Sequence, residues 1–351
     1  GLAYLEHGEY INAEKELSKA IELGEVDESV VVSLAIARAK VDDTDGIQQL
    51  LTDFNNLNDD NYQAILFYAG VALSNNEQKE QGQDTLGQAV SIKSESGYGK
   101  LAKAYSHYLL AEHKQGLIIT EKLLEEDAEN KEALILNGHM LEATGMHKEA
   151  SESFAKHSVL APRDFGILFF EIKSLLNDEQ FAKAEPKVDK LLSIYKEAPL
   201  AQQYKAQIAF EKKDYRSAIS HADIAVKSGF SLPVARMVAG TSAFYENEFE
   251  QAYYYLKPLE DNLSSDNPLH KVLAVVKIKL GYTQEAVDGL ELLSDFNETD
   301  IAFLQHSTDA LIKAKDFKNA QAVIDKAKQV APNNPYLELK RAELLLAQQD
   351  I

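Results

Sequence analysis

The sequence predicts an all-α solenoid built from about ten helical hairpins of 34 residues each, plus a partial one. Three observations predict it. A residue that is Ala or Gly in nine of ten cases recurs every 34 residues, with one interval of 35. A second position, 12 residues earlier, is also mostly Gly or Ala. Six of the eight prolines fall between hairpins. The recurring residues are Ala13, Ile47, Gly82, Gly116, Ala150, Ala184, Ala218, Ala252, Ala286 and Ala320. Such a period is typical of units that stack on their neighbours.

The hairpin pattern is clearest in the segment Asn130–Pro162. Each half carries residues three to four apart, which places them on one stripe of a helix. The stripes are Leu134, Gly138 and Leu141 on the first helix, and Ala150, Phe154 and His157 on the second. Residues 143–146 form a short turn, and Pro162 ends the second helix. The small residues Gly138 and Ala150 allow the two helix backbones to approach closely.

This pattern resembles the tetratricopeptide repeat (TPR), whose unit is 34 residues long. We number each repeat so that Gly138 is position 8, Ala150 is position 20 and Pro162 is position 32. Leu134 stands at position 4, where the family usually has Trp. The resemblance implies a right-handed superhelix with a concave groove lined by first-helix positions 2, 5, 9, 12 and 13.

The repeat register runs through residues 1–351 without a linker, so we predict a single continuous TPR array of about 21 helices. Gly1 already occupies position 8, inside a helix, and we therefore expect the chain to be a fragment of a longer protein. The second repeat is the weakest, with Thr44 at position 17, which is mostly aromatic or His elsewhere. Pro186 and Pro258 fall inside second helices, where we expect a mild bend.

Composition limits the possible chemistry and partners. The chain has 45% hydrophobic residues, no cysteine and a net charge of -20. Disulfides and thiolate metal sites are therefore excluded. No apolar run approaches the roughly 18 residues of a membrane span, so we expect no membrane insertion by this segment. The acidic balance argues against nucleic acid, which needs a basic face.

The sequence also carries no motif of a catalytic centre. The nine histidines are scattered over the repeats, and there is no Gly-rich phosphate loop, HExxH or GxSxG. We therefore predict that the chain is not an enzyme, with no catalytic residue, cofactor or metal site. Its chemistry should be recognition.

The groove positions that the resemblance implies are largely apolar and aromatic in the middle of the array. They are Phe67, Val71, Tyr98, Leu101, Tyr105, Tyr108, Ile135, His139, Phe169, Lys173, Leu176, Phe210, Met237, Phe244 and Tyr245. Such a surface suits a protein or peptide partner, with aromatic rings as anchors. The alternative is that some rings only pack between neighbouring first helices. Truncating Tyr105 and Tyr108 to Ala should then disturb the fold rather than partner affinity.

Two functional interpretations belong to different classes. The repeat style, as in YLEHGEYINAEKELSKAIEL, is similar to bacterial TPR lipoproteins of exopolysaccharide export and PEP-CTERM sorting. This similarity implies an interaction scaffold in the periplasm or tethered to the outer membrane, with a lipobox cysteine upstream. The alternatives are the recognition arm of an enzyme, such as a TPR-bearing glycosyltransferase, and a cytoplasmic assembly or regulatory factor. The groove lacks the Lys, Asn and Arg pattern with which co-chaperone TPR domains grip a terminal carboxylate. The oligomeric state stays open.

Overall fold

The computed structural model describes residues 1–25, 27–76, 78–94, 96–230, 232–264, 267–291 and 301–349. Over these ranges the chain is an all-α solenoid, as the repeat register predicts, with 21 α-helices, one 3-10 helix and no strand. The α-helices are α1 Leu2–Glu6, α2 Tyr10–Glu22, α3 Glu28–Lys40, α4 Thr44–Asp53, α5 Asp59–Asn75, α6 Lys79–Ser91, α7 Tyr98–Leu109, α8 His113–Glu126, α9 Lys131–Ala143, α10 His147–Leu160, α11 Phe165–Asn177, α12 Phe181–Ile194, α13 Pro199–Glu211, α14 Tyr215–Lys227, α15 Pro233–Tyr245, α16 Phe249–Leu256, α17 Leu269–Leu280, α18 Thr283–Glu291, α19 Ile301–Lys313, α20 Phe317–Val330 and α21 Pro335–Gln349.

The helices pair into hairpins through turns that share one backbone feature. In nine described hairpins the residue at position 15 has a left-handed conformation, with φ between 56° and 85°. These residues are Gly8, Asp42, Ala111, Gly145, Glu179, Lys213, Asn247, Gly281 and Lys315. In the clearest repeat, the Met146 N–H then donates to the Leu141 carbonyl at 2.9 Å, which satisfies the end of the first helix. A single left-handed residue thus reverses the chain in each of these turns.

Short polar side chains begin many of the helices. In seven of them, an Asp or Asn that precedes the helix accepts a hydrogen bond from a backbone N–H of its first turn. These residues are Asp27, Asp43, Asn58, Asn130, Asp164, Asp214 and Asp316. The acidic residues that recur between helices therefore have a structural role.

The two helices of a hairpin approach each other closely at position 8. A Cβ atom on Gly138 would lie 2.6 Å from Cε1 of Phe154, whose side chain is fully buried. Gly70 makes the same approach to Leu86, where a Cβ atom would lie 2.6 Å from Cγ. The facing residue stands at position 24 in both repeats. In these two repeats the packing therefore requires glycine at position 8, whereas Ile172 and Thr308 occupy the same position in other repeats.

Replacing Gly138 by Ala is expected to lower the free energy of unfolding by about 1–3 kcal/mol, because the added methyl group overpacks the buried Phe154 ring. The matched control is Gly87→Ala in α6, where a Cβ atom would meet nothing within 4 Å. That substitution should stabilise by up to about 1 kcal/mol, because Ala favours the helix. Urea denaturation of both variants measures the difference, and equal effects would contradict a close approach at position 8.

The prolines test the predicted hairpin boundaries. Pro199, Pro233 and Pro335 are each the first residue of a helix, and Pro186 lies inside α12, as the register predicts. The expectation for Pro258 was wrong. Helix α16 ends at Leu256, and Pro258 lies in the 3-10 helix Lys257–Asn262. Because proline lacks the N–H and clashes with the preceding turn, the α-helix stops instead of bending.

The chain divides into two compact units, Gly1–Lys187 and Val188–Ile351. We call them unit 1 and unit 2 and describe each by itself. Both are built around buried aliphatic and aromatic side chains at the helix interfaces. The single continuous array stays a prediction.

Candidate functional site

Unit 1 contains a cavity of about 530 Å³ lined by the first helices α5, α7, α9 and α11 and by the end of α3. We call it the unit 1 cavity. Six residues at the predicted groove positions line it, namely Phe67, Val71, Tyr105, Tyr108, Ile135 and His139. The register therefore brings side chains from three consecutive repeats to one site. Lys40, Asp42, Tyr68, Glu132 and Phe170 also line the cavity.

The first hairpin, α1–α2, contacts the residues in front of α11, although none of its own residues lines the cavity. The Tyr10 hydroxyl donates to Asp164 Oδ2 at 2.7 Å, although the two residues are 154 positions apart in the chain. The Arg163 guanidinium pairs with Glu9 at 2.5 Å, and the Arg163 N–H donates to the His7 carbonyl at 3.0 Å. We call these the closing contacts. They tie the hairpin that precedes α3 to the residues that precede α11, and so complete a circuit of helices around the cavity.

Aromatic packing fixes one wall of the cavity. The His139 ring lies edge to face with Phe170, at a centroid distance of 4.5 Å, and with Phe154, at 5.2 Å. The centre of the Tyr108 ring lies 6.0 Å from that of His139 and 5.8 Å from that of Tyr105. Edge-to-face pairs of this kind hold rings in defined orientations. The wall is therefore formed by packed aromatic rings.

The polar groups of the cavity have unusual protonation equilibria. Burial, together with the positive charges of Lys40 and Lys173, lowers the pKa of His139 to about 4, while Glu142 opposes the shift. The ring is therefore neutral at pH 7. The Tyr68 hydroxyl is fully buried without a hydrogen bond of regular geometry, and burial followed by the nearby Glu132 carboxylate raises its pKa well above the usual value. Both side chains act in the cavity as neutral groups.

Five of the predicted unit 1 residues lie elsewhere, and one of them, Leu176, is buried with 8% exposure. Leu101 belongs to the packed core and is 2% exposed, and the Tyr98 ring packs at 5.8 Å from Phe67. Phe169 is half-buried outside the cavity lining, and Lys173 is exposed, 4.0 Å from Glu142. Burial raises the pKa of Tyr98 to about 12, as expected for a packing ring. Their role in binding a partner stays a prediction.

Three of the lining residues that sequence reasoning missed share a position in the repeat. Tyr68, Leu136 and Phe170 all stand at position 6 of their repeats, next to the predicted position 5. Two aromatic residues at one first-helix position in nearby repeats were the available signal. Lys40, at the end of α3, stands at position 13, one of the groove positions that the resemblance implies, so the register could have indicated it.

Unit 2 presents an aromatic surface formed by Phe210, Tyr215, Phe244 and Tyr245. Tyr245 stacks on Tyr215 with a centroid distance of 4.8 Å and an angle of 17°, and Phe210 lies 5.7 Å from Tyr215. Phe244 contacts Tyr245 at 5.7 Å. Tyr245 is nevertheless 52% exposed. We call this set the unit 2 aromatic surface. The predicted groove residue Met237 is also exposed, on α15.

Two further observations concern other possible sites. Within the described ranges, no group of three or more His, Asp or Glu side chains is placed to hold a metal ion. None of the helices that the structure describes combines the length and the apolar character needed to cross a membrane.

Comparisons with known proteins find similarity to solved structures and not to sequences. No protein-family model matches the chain, and no curated protein matches its sequence. Similar solved structures include PilF of Pseudomonas aeruginosa, with 19% identity, a TM-score of 0.49 and coverage of 58% of this chain and 93% of that one. A tetratricopeptide repeat protein of Parabacteroides merdae has 14% identity, a TM-score of 0.43 and coverage of 82% and 99%. A human IFIT1 dimer with m7Gppp-AAAA has 13% identity, a TM-score of 0.44 and coverage of 92% and 82%. These similarities concern the fold alone.

Proposed function

We propose that the chain is a non-catalytic scaffold that binds a polypeptide partner through the unit 2 aromatic surface. One observation carries this proposal. Tyr245 is held in a defined orientation by stacking on Tyr215, yet half of its surface is left exposed. A ring that is already ordered loses little conformational entropy on binding, which makes it an effective anchor.

The partner's chemistry follows from the charge and shape of the surface. Aromatic anchors match apolar side chains of an extended segment or an amphipathic helix. The net charge of -20 favours a partner with basic residues around those anchors and disfavours RNA, although the similar IFIT1 structure contains m7Gppp-AAAA. Single-stranded RNA is therefore the competing ligand in the test.

The test is selection of binding peptides from a displayed random library. We expect enriched peptides to carry apolar or aromatic residues, and Tyr245→Ala to weaken their binding by about tenfold or more. The matched control is Tyr254→Ala in α16, since Tyr254 is 58% exposed but lies outside the surface. That variant should bind within about twofold of the original protein, as expected for a residue outside the anchor set.

Two outcomes would contradict the proposal. Equal loss of peptide binding in Tyr245→Ala and Tyr254→Ala would show that the aromatic surface has no special role. Tight binding of single-stranded RNA, abolished by Tyr245→Ala while no peptide is selected, would replace the polypeptide partner by RNA. Circular dichroism should show unchanged helicity in both variants.

We further propose that the chain works in the bacterial cell envelope, in secretion or in exopolysaccharide or PEP-CTERM sorting machinery. The support is the similarity of repeat style in Tyr4–Leu23 to TPR lipoproteins of those systems. Fractionation of cells that express the full-length protein is the test. Recovery with the periplasm or outer membrane is expected, and recovery free in the cytoplasm would overturn the proposal. A catalytic α/β domain in the full-length sequence would favour the enzyme-arm alternative.

A further inference from the structure

We propose that the unit 1 cavity binds a compact apolar molecule that carries a single anionic group, and that the anion pairs with the Lys40 ammonium. This is a small-molecule site in addition to the polypeptide-binding surface of unit 2. Three observations support this proposal: the position of the first hairpin, the size and lining of the cavity, and the charge of Lys40.

The position of the first hairpin limits what can enter. The first hairpin packs on α3, and its closing contacts reach the residues in front of α11. Asp164, which accepts the Tyr10 hydroxyl, also accepts the Ile167 N–H at the start of α11 at 3.3 Å. The same carboxylate therefore holds the hairpin and begins the helix that lines the far wall. The hairpin thus bounds the space between α3 and α11, which favours a compact ligand.

The size and lining of the cavity suit a small apolar body. A volume of about 530 Å³ lies within the range of small-molecule sites, roughly 300–1,000 Å³. Phe67, Tyr108, Ile135 and Phe170 supply most of the apolar surface, and the neutral His139 ring completes it. Burial of a ring or branched chain against this lining provides the main favourable contribution to binding.

The Lys40 ammonium is a positive charge without an ion-pair partner among the described residues. It lies 5.6 Å from the centre of the Tyr10 ring, and none of the described carboxylates lies within 4.0 Å of it. The aromatic face compensates only part of a positive charge. Lys40 also lowers the pKa of His139, which places its charge near the cavity wall. An anion in the cavity would therefore gain a charge-assisted hydrogen bond.

Glu132 is the opposing charge and defines where the anion can lie. Its carboxylate also lines the cavity, but it interacts with the Tyr68 and Tyr98 hydroxyls, whose pKa values it helps to raise. Neutral hydroxyls near Glu132 favour its negative charge, whereas Lys40 has only a ring face. The anion therefore belongs at the Lys40 end, and Glu132 repels it. Asp42 is exposed in the turn that follows α3.

Two fluorescent probes that differ by one charge provide the test. Anilinonaphthalene sulfonate has an aromatic body with one anionic group, and N-phenylnaphthylamine has nearly the same body without a charge. Both should bind wild-type protein, and Ile135→Trp should weaken both, because the larger side chain fills the cavity. Tyr245→Ala, in unit 2, should leave both affinities unchanged and thereby separate this site from the polypeptide-binding surface.

Substitutions at the two charges then test the anion. Lys40→Met keeps the aliphatic stem and should weaken the sulfonate probe by about tenfold or more while leaving the neutral probe within about twofold. Glu132→Gln should tighten the sulfonate probe alone, since a like charge is removed. The matched control is Lys103→Met, an exposed lysine of α7 outside the cavity lining, which should change neither probe.

The proposal is overturned if Lys40→Met weakens both probes equally, or leaves the sulfonate probe unchanged, because the site would then not recognise an anion. It is also overturned if Ile135→Trp and Lys40→Met both leave binding intact, since the probes would then bind elsewhere. Neither result affects peptide binding by unit 2, which is measured separately with Tyr245→Ala.

Discussion

Replacing Lys187 by Met is expected to lower the free energy of unfolding by about 3–5 kcal/mol, a large fraction of the stability of an ordinary domain. The Lys187 ammonium lies 2.6 Å from Glu171 Oε1, and the Glu171 side chain is only 1% exposed. The Ser158 hydroxyl donates to the other carboxylate oxygen at 2.9 Å. Without Lys187, the Ser158 hydroxyl is the one partner of the carboxylate among the residues that the structure describes. The loss comes from a buried charge left without its counter-ion, more than from the loss of an attraction.

Urea denaturation followed by circular dichroism measures the effect. The matched control is Lys100→Met, because Lys100 pairs with Glu126 at 2.7 Å while both side chains are about half exposed. An exposed pair contributes at most about 1 kcal/mol, so this variant should be nearly neutral. The double variant Glu171→Leu/Lys187→Met should recover most of the loss, since no charge stays buried. A loss below about 1 kcal/mol in Lys187→Met would mean that water reaches Glu171.

The repeat fold could be predicted because its packing rule is local in the sequence. A small residue at position 8, such as Gly138, faces a large one at position 24, such as Phe154, and the spacing between them is constant. The left-handed turn at position 15 could not be predicted in the same way. Ala111 and Lys213 adopt it as readily as Gly145, so the hairpin geometry imposes the conformation in spite of residue preference.

The candidate site could be predicted only in part. Ring positions on the first helices follow from the register, and Tyr108 and His139 reach the cavity as expected. The closing contacts join residues 154 positions apart, and no periodic pattern encodes such a pair. Lys40, by contrast, stands at groove position 13 of its repeat, so the register could have indicated its place in the cavity. At Pro258 the repeat register predicted a continuing helix, but the missing N–H of proline ended the α-helix there.

The stability of unit 1 is expected to fall as the pH is lowered from about 7 towards 4, with His139 as a principal cause. In the folded protein the pKa of His139 is about 4, and its ordinary value is 6.5. Above pH 7 the ring is neutral in both states and contributes no pH dependence. Between these two pKa values the unfolded chain binds a proton that the folded chain does not. The free energy of unfolding therefore decreases by about 2 kcal/mol when the pH is lowered from 7.5 to 5.0.

His139→Phe should remove this contribution while keeping the ring contact with Phe170. Because many carboxylates also titrate in acid, the informative quantity is the difference between the variant and wild-type protein at each pH, measured by urea denaturation. That difference should change by about 2 kcal/mol in favour of the variant from pH 7.5 to 5.0. The matched control is His7→Gln, which replaces an exposed histidine outside the cavity. If the pH profile of His139→Phe is parallel to that of wild-type protein, the expectation is contradicted. The folded cavity would then accept a proton on His139, with water or the Glu142 carboxylate compensating the imidazolium charge despite Lys40 and Lys173.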